Sequence, residues 1–340
     1  MNNEKGVVLL IVLWVLLVLS LIAWGLGRRS SLEVSVLETY RGKLRSYAAA
    51  RAGLNRMLDL LQKSPSTRDS LYLSGVTIDA AKTPADVFAH MDTGHNTFAM
   101  VAWRAKNYST GDNNTPLEYG LRDEGGRLNL NAIGIVNYPI LSALLQLQGL
   151  SQPDADKLAM AIINYSGINS AASNNNTFMN LDQSRLKPKN KRYENVLELL
   201  EVDGMTQKIF DKIKDDVTVY GNSQTGLWIN TDTANNDVIQ ALANASARVN
   251  SATTAQGIID QAYGIRDGAD GQSFTADDGT ASIAMVNDPN WPAALQEGVS
   301  SYYRARVVGV DGDSGTRTVI EAVIHQRPGG QAELLSWQRN

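Results

Sequence analysis

The chain has 340 residues, a hydrophobic fraction of 43% and a formal net charge of -4 from 31 basic and 35 acidic side chains. That length leaves room for an apolar anchor with one large domain or two modest ones, and nothing in the charge balance suggests a polyanion as the main partner. The absence of cysteine excludes disulfides and thiolate chemistry, and only three histidines, His90, His95 and His325, are present.

A short polar leader, residues 1–6, ends in Gly6. From Val7 to Leu26 the chain then runs without a charge. As a helix this stretch is roughly 30 Å long, the thickness of a hydrocarbon core, which predicts a transmembrane span over 7–26. The pattern continues over 27–62 through Arg28 and Arg29. Leu32, Val36, Tyr40, Leu44, Tyr47, Leu54, Leu58 and Leu61 recur mostly at three and four, which predicts one apolar face of the same helix. A cleaved signal peptide ending at Gly25-Leu26-Gly27 competes, but its apolar region is usually about 7–15 residues. An ordinary single-span anchor is the other reading. Arg28 and Arg29 would by simple count keep the C-terminal side in the cytoplasm, yet long domains translocate largely regardless of flanking charge.

A membrane helix continuous with an amphipathic one, behind a leader ending in glycine, resembles the type IV pilin family and its secretion relatives, the pseudopilins. The resemblance implies that a prepilin peptidase cuts after Gly6 and methylates Val7, and that the helices pack into a filament core. The fifth residue from Val7 is Ile11, where most pilins carry a Glu that pairs with the N-terminal amine of the neighbouring subunit. Ile11 avoids the cost of a carboxylate in lipid and gives up that pairing. This suits a subunit with nothing ahead of it.

Residues 63–131 read as the first part of a pilin-like α/β domain. Lys63–Thr67 is a break, 68–96 is mixed and polar, and Asp86–Met91 has the pattern of a helical turn. His90 and His95 are metal-ligand types, but a spacing of five with no third ligand nearby predicts a loop. Thr97–Arg104, Leu117–Arg122 and Arg127–Asn131 read as strands, the last two joined at Gly125-Gly126, with a loop over Lys106–Pro116. The run Asp123-Glu-Gly-Gly-Arg-Leu-Asn-Leu-Asn131 resembles the "DE-x-GR-LNLN" segment of the type II secretion minor pseudopilin K family. Alternation puts Leu128 and Leu130 on one face and Arg127, Asn129 and Asn131 on the other, where asparagines tie down the loops beyond. Glu118, Asp123 and Glu124 are expected to face solvent or to pair with Arg122 and Arg127.

Residues 132–225 turn helical. Leu144–Lys157 and Leu199–Lys212 repeat each other, with Gly149 matching Gly204, Ser151 matching Thr206 and Asp156-Lys157 matching Asp211-Lys212. Each unit predicts a helix, a glycine at its C-terminal end, a Ser or Thr cap and a second helix. Such helix-hairpin-helix units bind DNA in many proteins. Here Ser151 and Thr206 replace the second glycine of a phosphate-binding turn, and Tyr138–Tyr220 carries nine basic against ten acidic residues. The hairpins are therefore expected to pack protein, with no nucleic-acid partner. Ser166–Thr177 reads as an exposed loop.

Residues 226–298 open with Gly226-Leu-Trp-Ile-Asn-Thr-Asp-Thr-Ala234, which resembles the family's "INVNTA" strand with Asp232 in place of the second Asn. It is expected to re-enter the sheet ahead of a helix carrying Val238, Ile239 and Leu242. Asp267, Asp270, Asp277 and Asp278 fall in a glycine-rich loop with the donor type for a hard cation, without the order of an EF-hand. The resemblance implies structural calcium; a plain acidic turn is the alternative. Residues 299–340 read as a hairpin, Val299–Val310 and Arg317–Gln326, with its tip at Asp311-Gly-Asp313 and an added edge at Leu334–Trp337.

The expected fold is α+β: a pilin-like N-terminal helix packed on an antiparallel sheet, with a large inserted helical domain. No nucleophile elbow, P-loop or zinc-protease motif is present, so no enzyme and no small-molecule substrate are expected. The resemblance implies a minor pseudopilin at the tip of the type II secretion pseudopilus, in the inner membrane with its C-terminal domain in the periplasm. Its implied partners are minor pseudopilins of the I and J type and the major pseudopilin. A minor pilin of a type IV pilus and a membrane-anchored nucleic-acid receptor are the alternatives.

Overall fold

A computed structural model of the protein describes residues 3–62, 84–104, 117–167, 189, 191–221, 227–230, 233–249, 254–266, 293–296, 301–327 and 329–339. The first helix, α1 (Asn3–Leu61), is unbroken, as the missing breakers before Pro65 require. Among the described residues its first buried one is Gly42, so roughly 60 Å of helix precedes the folded domain.

The body that receives α1 is a seven-stranded antiparallel sheet. Its main path is β1 (Met91–Gly94), β2 (Thr97–Arg104), then β9 (Tyr302–Asp311), β10 (Arg317–Gln326) and β11 (Ala332–Arg339). Short strands β3 (Leu117–Tyr119) and β4 (Arg122–Asp123) pair off β2 and β9. The sheet is thus split in sequence: its first strands end at Asp123, its last strands begin at Tyr302, and the helical domain lies between. Just before β1 lies a short helix, α2 (Pro84–Phe88). The predicted loop between His90 and His95 is instead strand and turn: β1 pairs with β2, and His95 and Asn96 take positive φ at the tip. The His90 ring lies against Phe98, with centroids 4.2 Å apart and the planes tilted by 30°. A short polar strand at a sheet edge carries too little alternation to announce itself.

One face of the sheet, formed by Ala99, Val101, Tyr303, Ala305, Val307, Ile320, Ala322 and Ile324, meets Ala50, Leu54, Met57, Leu60 and Leu61 of α1. The periodicity of the large residues predicts a face made of Leu32, Val36, Tyr40, Leu44, Tyr47, Leu54, Leu58 and Leu61. The structure shifts it: Gly42, Ser46, Ala49, Ala50 and Gly53 lead the buried stripe, while Val36, Tyr40 and Leu44 are exposed. The cause is close approach. A Cβ on Gly309 would lie 2.0 Å from the Ser46 carbonyl oxygen and 2.3 Å from the Ala50 nitrogen. The helix backbone therefore lies directly on β9, which small residues permit and large ones prevent. Ser46 Oγ meets Thr318 Oγ1 at 2.8 Å inside this contact, satisfying two buried hydroxyls.

The second core is helical. It joins α3 (Tyr138–Leu147), α4 (Gln152–Ser166), a 3-10 turn (Val196–Glu201), α5 (Gln207–Ile213), α6 (Asn236–Val249) and α7 (Ala255–Arg266). The internal repeat is real. Gly149 and Gly204 take φ of 98° and 86°, and the Ser151 and Thr206 hydroxyls accept from the Asp154 and Ile209 amides. The copies differ where Leu199-Leu200 forms a 3-10 turn rather than an α-helix.

Two predicted strands of the main sheet lie elsewhere. Of Arg127–Asn131, only β5 (Leu128–Asn129) is strand, and it runs parallel to β6 (Val217–Thr218). Likewise β7 (Leu227–Asn230) does not re-enter the sheet; it pairs in parallel with β8 (Ala293–Gln296), and Leu227 and Ile229 enter the helical core. Alternation marks a strand but not its partner.

Gly309→Ala is expected to cost roughly 3 kcal/mol or more, because the new methyl meets helix backbone that has no rotamer to yield. The urea midpoint of the variant checks this, and an unchanged midpoint contradicts the close packing of α1 on β9.

Candidate functional site

Two features of this architecture bear on function: the free length of α1 and the joint between the sheet and the helical domain. In the first, Val7–Gly25 is long and apolar enough to cross a membrane, and none of it is buried by the protein. Gly6 and Val7 lie inside the continuous helix near its start, and Ile11 is exposed on the apolar run. Beyond the span, Val36, Tyr40 and Leu44 are exposed on the stretch of α1 that leads to the domain. At the point of entry Arg45 Nη1 lies 2.6 Å from Asp313 Oδ2, whose other oxygen accepts from Asn96 at 2.7 Å. Both hairpin tips are thereby clamped to the helix where it leaves the body.

The joint is built from the Asp123–Asn131 run. Asp123 and Glu124, expected to face solvent or to pair with Arg122 and Arg127, are buried. Glu124 Oε1 lies 2.7 Å from Arg304 Nε and 3.7 Å from Arg127 Nη1; the first contact lacks hydrogen-bond alignment and is held by charge. Its other oxygen accepts from Arg304 Nη2 at 3.3 Å and from the Thr218 hydroxyl. Burial opposes the Glu124 charge, but Arg127, Arg304 and Thr218 outweigh it and hold the carboxyl below its ordinary value of 4.5. Burial also disfavours both arginines. The carboxylate reverses this for Arg304, whose pKa rises, but not for the more distant Arg127, whose pKa falls. The expected Arg127 pairing is present, and Arg304 is the partner that spacing could not reveal, 180 residues away.

Asp123 gathers the other segment. Its Oδ2 accepts from Asn230 Nδ2 at 2.7 Å and from the Thr233 hydroxyl at 2.9 Å, while the Gly125 carbonyl accepts from the Asn230 amide at 2.8 Å. A Cβ on Gly126 would sit 2.5 Å from the Thr233 carbonyl oxygen, so the glycine turn lies flat on the 233–234 backbone. The two short runs that stand out in the sequence are thus the two halves of one contact. Asn131 behaves as expected: its Nδ2 donates to the Tyr193 and Val219 carbonyls, each at 3.0 Å, and its Oδ1 accepts from the Tyr193 amide at 2.8 Å.

In the repeat, Lys212 Nζ donates to the Gln148 carbonyl of the other unit at 2.7 Å, stitching the two hairpins together. Among the described residues no group of three or more His, Cys, Asp or Glu is placed to hold a metal. Asp267, Asp270, Asp277, Asp278 and the side chain of Glu118 lie outside the described residues.

A long apolar helix laid on an antiparallel sheet, with a helical domain inserted between its strands, is the pilin-like α+β architecture that the sequence predicts. Within that class, residues 126–222 match the family model of type II secretion system (T2SS), protein K, so the chain carries the protein K domain and the resemblance read from its sequence holds. The match covers the helical repeat and, of the joint, Gly126, Arg127 and Thr218, while Asp123, Glu124, Asn230 and Arg304 lie outside it. In the crystal structure of the GspK-GspI-GspJ complex from the enterotoxigenic Escherichia coli Type 2 Secretion System, one chain shares the fold with a TM-score of 0.51 and 13% identity. The likeness spans 89% of this chain and 98% of that one. No curated protein matches the chain. The α+β class is as expected, and the family is a structural, non-enzymatic part of the secretion machinery.

Glu124→Gln leaves two buried guanidinium groups without a counter-charge and is expected to cost about 3 kcal/mol at pH 7. Because the folded carboxyl titrates below its ordinary value of 4.5, its stabilisation is complete above that value and is lost as pH falls through the folded pKa. Urea midpoints of wild type and variant should therefore converge in acid, and a gap that does not change with pH contradicts the assignment.

Proposed function

We propose that the chain is the tip subunit of a type II secretion pseudopilus, anchored in the inner membrane with its folded domain in the periplasm. The observation that carries this reading is a protein K domain mounted on a pilin-like body whose apolar helix stands free. A helix with so much bare apolar surface needs lipid before assembly and other helices after it. The bare apolar span Val7–Gly25 and the exposed Val36, Tyr40 and Leu44 suit packing against minor pseudopilins of the I and J type and, below them, the major pseudopilin.

Position follows from Ile11. A subunit that lacks a carboxylate there makes no demand on the amine of a neighbour ahead of it, which suits the first position, with the bulky helical domain as its cap. The subunit then starts assembly and caps the filament that drives folded proteins through the outer membrane. The protein K match favours this over a type IV pilus, which uses the same assembly physics.

Processing by a prepilin peptidase at Gly6–Val7 belongs to this reading. Intact mass of the chain co-expressed with its peptidase is expected to show a product beginning at methylated Val7, absent from a Gly6→Val control. An uncut chain, or one cut after Gly27, overturns the reading. Calcium held by Asp267, Asp270, Asp277 and Asp278 also belongs to it. A melting temperature raised by millimolar calcium, and a rise lost in the Asp270→Asn, Asp277→Asn double variant, is the expected outcome; indifference of the wild type to calcium and chelator removes the site.

A further inference from the structure

The place where α1 enters the body is gripped from three directions. Among the described residues the helix is first buried at Gly42, where an added Cβ would lie 2.5 Å from Ser314 Oγ and 2.7 Å from Thr316 Oγ1. The helix surface is thus flush with the turn between β9 and β10. Within the next turn both flanks are held. Arg45 Nη1 lies 2.6 Å from Asp313 Oδ2 and 3.7 Å from Asp311 Oδ1, and the Arg339 guanidinium sits 4.8 Å over the Tyr47 ring. Two residues on an α-helix turn through about 200°, so Arg45 and Tyr47 leave α1 on opposite sides. The β9–β10 turn takes one and the end of β11 takes the other.

The grip on Arg45 is assembled by two hairpin tips. Asp311 is buried; its Oδ2 accepts from the Ser314 hydroxyl at 2.6 Å, and its Oδ1 has no hydrogen bond among the described residues. Asp313 is oriented by Asn96 Nδ2, which donates to its Oδ1 at 2.7 Å. The Asn96 carbonyl in turn accepts from the Gly312 amide at 2.8 Å, and an added Cβ on Gly312 would lie 2.7 Å from that carbonyl oxygen. The tips therefore touch backbone to backbone. To make these contacts His95 and Asn96 take φ of 54° and 55°, two left-handed residues in succession without a glycine. Such a conformation costs backbone energy and persists where its surroundings hold it. Without Arg45 the two carboxylates lose the nitrogen they share, and Asp311 keeps a buried charge uncompensated.

We propose that this saddle is an orientation lock: it fixes the angle at which α1 leaves the body, with Arg45 as the positioning residue. The small-residue stripe lets the helix lie close on β9, but a smooth stripe does not choose a heading; the lateral grips do. Heading matters because the helix beyond is free. From Gly25, where the apolar span ends, to Gly42 is roughly 25 Å of helix. A swing of about 20° at the saddle displaces the span by roughly 9 Å, the spacing of two packed helices. The saddle is a property of this body alone and does not depend on which filament the chain joins.

Because the chain has no cysteine, spin labels can be placed through Val36→Cys on the free helix and Leu335→Cys on β11, both exposed, in the full chain in lipid nanodiscs. Double electron–electron resonance is expected to give one narrow distance distribution. Arg45→Ala should widen it about twofold or more. Arg45→Lys should keep it narrow, since a single nitrogen serves both carboxylates. A second label pair, Leu197→Cys with Leu335→Cys, lies within the body and should not respond to Arg45→Ala. A distribution that is broad in the native chain, or that stays narrow in Arg45→Ala, overturns the lock. Widening of the second pair overturns it too, because the whole body has then loosened. A distribution as broad in Arg45→Lys as in Arg45→Ala overturns the part assigned to the charge.

Discussion

Glu124 is a carboxylate that water does not reach, kept charged by two guanidinium groups from distant parts of the chain. Arg304 comes from the central strand of the sheet, and Arg127 and Thr218 come from the edge of the helical domain. A buried ion triad adds little net stability over a packed apolar joint. What it imposes is a single arrangement, because sliding one domain on the other leaves a buried charge uncompensated. The flat contact of Gly126 on the 233–234 backbone and the Asp123 hydrogen bonds fix the same joint from a second side. A domain held this way moves with its anchor, which is what a subunit pushed outward on a filament requires.

The long first helix presents two different surfaces. Its small-residue stripe lets its backbone lie on β9, while its large apolar residues turn away and stay exposed. Close packing needs Gly, Ala and Ser on one side, and the bulky side chains are turned to the other. The helical domain sits on the opposite face of the sheet, where Arg304 and Ser336 meet it, so the exposed side of α1 remains accessible.

Much of this is legible in the residues. The span, the unbroken helix, Thr97–Arg104, the C-terminal hairpin and the glycine-and-cap repeat follow from local chemistry, and the structure places them there. The differences share a cause. Leu128–Asn129 and Leu227–Asn230 are strands as expected, but a run of alternating residues does not encode its neighbour, and both pair outside the main sheet. For Glu124 the sequence offers solvent or the nearby Arg122 and Arg127, because Arg304, its closest partner, is 180 residues away. The buried stripe of α1 falls elsewhere than periodicity predicts because large side chains are the usual sign of burial, whereas Gly309 makes smallness the requirement. Two joined signals are present in the sequence: the Gly-Gly turn and the WINTDTA run are each unusual alone, and they prove to touch.

The claim on which the account turns is that this chain ends a filament rather than forming its shaft. The chain has no cysteine, so one placed on the exposed 3-10 turn, as in Leu197→Cys, gives a single gold-labelling site. On purified pseudopili the account expects one label at one end of each filament. Labels repeated along the shaft, or filaments of normal number and length formed without the chain, contradict it.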